Sequence, residues 1–161
     1  MITSTTTLVP DNPAAAYAAY RQAASAVFLA GTQGLKYKKD HYDLAVDLSK
    51  AGMQYIEERE DDIVIGAMTP LWQIKISPVI QEFAGGAISK AISDVADKNV
   101  QRYGTLGGVI SGKAPFSVLL PILLSLHVDV QLQDKGCMSL DDYLHCPPMG
   151  ELVTGISIAK E

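Results

Sequence analysis

Two short glycine turns constrain this chain more than any other feature: Leu29-Ala30-Gly31-Thr32-Gln33-Gly34-Leu35, which follows an apolar run, and Thr105-Leu106-Gly107-Gly108-Val109-Ile110, which precedes one. Glycine lacks a Cβ, so it tolerates positive φ and lets successive backbone N–H groups converge on an anion. Either turn alone is an ordinary connector between a helix and a strand. Two in one chain suit the two phosphates of a pyrophosphate, with a ligand cleft between the parts of the fold that carry them.

Composition narrows the class. A chain of 161 residues, 48% hydrophobic and 19% charged, buries a real core as one domain or as two small subdomains, and it stands well away from disordered sequences. The net charge of −5 and the lack of a Lys/Arg stripe interleaved with aromatics exclude nucleic acid as a partner. The most apolar stretch, residues 116–126, contains Pro121 and falls short of the roughly 20 residues that span a bilayer. Residues 1–7 lack a basic region followed by a long apolar stretch, so no signal peptide is expected and the chain is placed in the cytoplasm. Cys137 and Cys146 have neither CxxC spacing nor enough neighbours for a cluster, and are expected as free thiols.

Local patterns set the expected order of elements. Pro10-Asp11-Asn12-Pro13 ends an extended start and offers Asp11 or Asn12 as the cap of an alanine-rich helix reaching Ala24. Val27-Phe28-Leu29-Ala30 reads as a short buried strand feeding the first glycine turn, and Leu44-Ala45-Val46-Asp47-Leu48 as a second strand. Residues 54–57 and 63–66 form a hairpin around the solvated turn Arg59-Glu60-Asp61-Asp62. Helices are expected from Thr69, with Trp72 as a packing residue, from Ser77-Pro78, and from Ala87 to about Asn99 on the face Ala87, Ile88, Ala91, Ile92 and Val95. A helix over residues 117–126, a strand over 128–132, an N-capped turn over 139–144 and a strand over 151–158 complete the chain.

Side chains for direct catalysis are not apparent. His41, His127 and His145 have no carboxylate at ligand spacing, so no metal is expected. Ser111 lacks the G-x-S-x-G elbow of a hydrolase nucleophile. Tyr37, Tyr42, Tyr55 and Tyr103 are read as packing rings, with stacking on a planar ligand as the alternative.

Taken in order, the motifs resemble the flavin-binding subunit of the molybdenum hydroxylases, the family of xanthine dehydrogenase and of aerobic carbon monoxide dehydrogenase. The resemblance rests on residues 29–35, Val46-Asp47-Leu48-Ser49, Ile65-Gly66-Ala67-Met68-Thr69-Pro70-Leu71, residues 105–110, Met138-Ser139-Leu140-Asp141-Asp142-Tyr143 and Gly150-Glu151-Leu152-Val153-Thr154-Gly155-Ile156, covering roughly residues 8–158. It implies an α+β flavin-binding fold of the molybdopterin dehydrogenase type, with a small subdomain over residues 1–57 and a larger one with a mixed sheet over 58–161. It further implies FAD as cofactor, held by Ala30, Gly31, Thr32, Gln33 and Gly34 in one loop and by Thr105, Leu106, Gly107 and Gly108 in the other. The implied partners are a molybdopterin-binding large subunit and a 2Fe-2S small subunit; self-association is left open. No catalytic residue is assigned, because the flavin carries the chemistry of electron relay.

This sequence departs from the family pattern at identifiable positions. Thr32 stands at the usual second glycine and Gly34 at a polar position, Val109 replaces a common Asn, and Ala114 and Val118 replace aspartates. Lys113 is read as a surface lysine, with a phosphate contact as the alternative. The chain is also shorter than typical family members, whose further C-terminal domain helps cover the flavin. Two readings follow: a flavin-binding component of an oxidoreductase, or a shortened domain that keeps the fold and an interaction surface without flavin.

Overall fold

The computed structural model describes residues 2–35, 39–95, 97–113 and 117–160; Tyr37, Ala114 and Phe116, which figure in the sequence reading, lie outside the described residues. The fold is α+β, with one parallel and one antiparallel sheet.

Strand β1 (Thr3–Leu8) is a run of mostly β-branched threonines, which favours extended backbone. After it, Asn12 supplies the cap, its side chain accepting the Ala15 amide at 2.8 Å, and Pro13 occupies the first helical position of α1 (Pro13–Gln22). The helix stops short of the expected Ala24. Strands β2 (Ala26–Leu29) and β3 (His41–Asp47) complete a parallel sheet in the order β1-β3-β2, with Thr6 opposite Leu44 and Phe28 opposite Val46. Small side chains let α1 approach closely, and Ala16 and Tyr17 pack with Val46, Leu48, Met53 and Leu152 in a core of their own.

The second sheet is built from β4 (Ile56–Glu58), β5 (Asp62–Gly66), β6 (Val128–Leu132), β7 (Gly136–Ser139) and β8 (Val153–Ala159), in the order β4-β5-β8-β6-β7. The charged turn closes the first hairpin through the Arg59 amide and the Asp62 carbonyl at 2.9 Å. Strand β7 was not expected. Its Gly-Cys-Met-Ser sequence has no strand signature, and the pairing is supplied by β6, with Gly136 at φ 72° turning the chain back.

Helices α2 (Leu71–Ile76), α3 (Pro78–Glu82), α4 (Ala87–Ser93), α5 (Lys98–Tyr103), α6 (Leu106–Gly112), α7 (Leu119–Leu124) and α8 (Leu140–His145) accompany this sheet. The single helix expected from Ala87 to Asn99 is two. Helix α4 ends at Ser93, Asp97 caps α5 by accepting the Asn99 amide at 2.8 Å, and the buried Gln101 side chain donates to the carbonyls of Val95 and Ser93 that the break exposes. Trp72 also differs from expectation. Leu71 and Ile74 form the buried face of α2, and Trp72 is 43% exposed. Pro121 is tolerated in α7 because it falls in the first turn, where amides have no intrahelical partner. The main core joins Ile63, Ile65, Ile92, Ile110, Leu123 and Ile156. Among the described residues no helix is long and apolar enough to cross a membrane.

Candidate cofactor site

The second glycine run is the opening of a helix rather than a turn. Thr105 caps α6, its Oγ1 accepting the Gly108 amide at 3.2 Å, and both glycines have helical backbone. The segment is locked onto the β5–α2 connection: the Leu71 amide donates to the Gly104 carbonyl at 2.9 Å, Leu106 to Thr69 at 3.1 Å and Gly107 to Ala67 at 2.8 Å. Gly107 is required by this contact, since a Cβ there would lie 2.8 Å from the Ala67 Cβ. The amides of Leu106 and Gly107 are therefore spent inside the protein. Gly108 is exposed and its amide is held only by the Thr105 hydroxyl, which makes it the donor of this run that a ligand can take over.

Behind the loop, Thr69 is fully buried, and its hydroxyl both accepts the Tyr55 amide at 3.1 Å and donates to the Tyr55 carbonyl at 3.0 Å. Gly66 lets Met53 approach, because a Cβ would fall 2.3 Å from the Met53 carbonyl oxygen. These two residues shape the second run's support, and the sequence placed both in a family segment without giving either a role at the site. The signal available was the Gly-Ala-Met-Thr spacing ahead of Pro70.

The first run leaves β2 through the half-buried Ala30. Gly31 packs against the end of α5 so closely that a Cβ would sit 1.8 Å from the Tyr103 carbonyl oxygen and 3.1 Å from Gly104 Cα. The first run thus meets the residues that lead into the second. Positive φ falls on Thr32, at 55°, and not on Gly31, Gly34, Gly107 or Gly108. The expectation that the glycines supply left-handed backbone is corrected here: Gly31 and Gly107 serve close approach. Within the loop, Gln33 donates to the Gly31 carbonyl at 3.3 Å and the Leu35 amide to the Thr32 carbonyl at 3.1 Å. The amides of Gly31, Thr32 and Gly34 have no acceptor among the described residues, and Thr32 and Gly34 are exposed.

Other expected residues lie elsewhere. Lys113 neither floats in solvent nor faces the loops; its Nζ donates to the Leu144 carbonyl at 2.7 Å and lies 5.6 Å from the Tyr143 ring. Tyr42 is half-buried with its hydroxyl 3.4 Å from Asp40. Burial raises the Tyr55 phenol above its ordinary value, and Tyr143 likewise. Tyr103, read as a packing ring with stacking as the alternative, is exposed, and its backbone lies against Gly31. Cys137 and Cys146 are exposed free thiols, and no group of three or more metal-ligating side chains occurs among the described residues. Two open clefts, each about 540 Å³, flank His127 and Ala159 at the far end of the antiparallel sheet, and include none of the expected site residues.

The α+β fold thus has a parallel and an antiparallel sheet, with the first glycine loop packed against the lead-in to the second. Residues 3–160 match the family described as "FAD binding domain in molybdopterin dehydrogenase", and the chain belongs to that family. The Escherichia coli K12 protein YgfM, itself uncharacterised, is 29% identical over 124 residues, 76% of this chain and 46% of its own length. The chain therefore spans about half of that relative. Among solved structures, CO dehydrogenase from Oligotropha carboxidovorans superposes over all of this chain and 59% of its own (TM-score 0.84, 24% identity). Quinoline 2-oxidoreductase from Pseudomonas putida 86 does so over the same shares (TM-score 0.87, 18% identity). At these identities the likeness speaks to the fold.

The residues fit the diphosphate of the family's cofactor. Gly31 lets the first loop close onto Tyr103, and the amides of Gly31, Thr32 and Gly34 have no acceptor among the described residues. Beyond the diphosphate, Val109 and the exposed Val118 offer no polar contact.

Proposed function

We propose that this chain binds FAD and serves as the flavin component of a molybdenum hydroxylase-like oxidoreductase. The amides of Gly31, Thr32 and Gly34 take the diphosphate, Ala30 and Gln33 complete that loop, and Gly108 adds a donor from α6. Thr105, Leu106 and Gly107 position Gly108. The site lies between two subdomains, residues 1–57 and 58–161. When bound, the flavin supplies the electron transfer, and the chain's own residues bind and orient it. The implied partners are a 2Fe-2S subunit that delivers electrons and a molybdopterin-binding subunit where substrate is oxidised.

The observation that carries this reading is the packing of Gly31 against Tyr103 and Gly104, just ahead of the second run, beside Gly31, Thr32 and Gly34 amides that have no acceptor among the described residues. The test is the visible spectrum of purified protein after FAD is added and excess is removed by gel filtration. Retained flavin absorbance is expected. A folded protein that stays colourless would favour the second reading, a scaffold domain without flavin, for which Thr32 at positive φ and the apolar Val109 and Val118 speak.

A further inference from the structure

We propose that Arg102 and Tyr103, which the family resemblance did not assign, form a stacking and charge-pairing edge for the aromatic end of a dinucleotide. The proposal rests on the FAD reading above and names how the ligand is recognised. Tyr103 is the last residue of α5, and its carbonyl is the group against which Gly31 packs. The backbone of Tyr103 therefore touches the first loop. Residues 104–107 that follow are buried, while Tyr103 is 53% exposed. The Arg102 guanidinium carbon lies 5.7 Å from the Tyr103 ring centroid, and no carboxylate pairs with Arg102 among the described residues.

A guanidinium lying over an aromatic ring is an arrangement that extends to further planar groups, and its unpaired charge suits a phosphate. An aromatic ring linked to a diphosphate is the ligand chemistry that uses both groups at once. Adenine and the flavin ring each meet it, from opposite ends of the same molecule.

Titration of the chain with FAD, followed by flavin fluorescence, tests the edge in the wild type, Y103A, Y103F and R102Q. Stacking on one ring predicts a weakening of about 10-fold for Y103A, with Y103F near wild type. R102Q is expected to weaken binding several-fold and to reduce its dependence on salt. Repeating the wild-type and Y103A titrations with ADP and with FMN by calorimetry identifies the stacked end, since the loss is carried by one fragment. Wild-type binding that is unchanged in both Y103A and R102Q, with native circular dichroism, overturns the edge and leaves FAD binding standing. A wild type that binds no FAD overturns the underlying reading instead.

Discussion

Thr32 holds a conformation that suits glycine better than a β-branched side chain. At φ 55° its Cβ crowds the backbone at a cost of about 1–2 kcal/mol. Thr32→Gly removes that strain and adds back about 0.5–1 kcal/mol of chain entropy, so a small net stabilisation is expected as a higher urea midpoint at unchanged slope. An equal or lower midpoint would show the loop to be unstrained. Gly31→Ala acts in the opposite direction, because a methyl group 1.8 Å from a carbonyl oxygen forces the two runs apart. It should lower stability by about 1–3 kcal/mol and abolish retention of FAD on gel filtration, with the far-ultraviolet spectrum preserved. The importance of Gly31 was legible in the sequence. Its reason was not, since close approach to Tyr103 depends on a contact between residues far apart in the chain.

Helix α6 separates two glycines that a motif treats as one. Gly107 faces Ala67 with no room for a methyl group, whereas a Cβ at Gly108 would meet only the Thr105 hydroxyl, at 3.1 Å. Gly107→Ala is expected to lose about 1–3 kcal/mol through overpacking. Gly108→Ala should fall within about 1 kcal/mol of wild type, since helix propensity offsets the tighter cap. Equal thermal shifts for the two would refute this division. The elements were legible where side chains alternate or caps are explicit, as in β6 and in α8, where Ser139 accepts the Asp142 amide. They were not legible where a partner imposes them. β7 owes its pairing to β6, and the break after α4 depends on a buried Gln101 whose bonds reach back to Ser93 and Val95.

Across the whole molecule, α1 is tied to the far sheet by the Tyr17 hydroxyl, which donates to Glu151 at 2.6 Å, and by Arg21 at 3.6 Å from Asp134. The bond to Glu151, then burial, raises the Tyr17 phenol above its ordinary value of 10.0. A phenol that holds its proton more tightly when folded contributes fully below the unfolded value, and that contribution is lost as pH rises through the folded one. The difference in melting temperature between wild type and Tyr17→Phe should therefore hold from neutral pH up to about 10 and shrink as pH rises further. A gap that stays constant would place the Tyr17 effect in ring packing alone.

The place of β8 governs how the chain reaches this state. Within the antiparallel sheet β8 lies between β5 and β6, with Ile65 and Val130 both opposite Ile156. Neither neighbour has the other as a ladder partner. Residues 67–152 separate β5 from the strand that completes it, so most of the sheet's loop-closure entropy is lost before its hydrogen bonds form. During synthesis, β5, its hairpin partner β4 and the helices that follow leave the ribosome with an apolar edge waiting for residues 153–159. An unpaired apolar strand edge is the feature through which aggregation competes with folding.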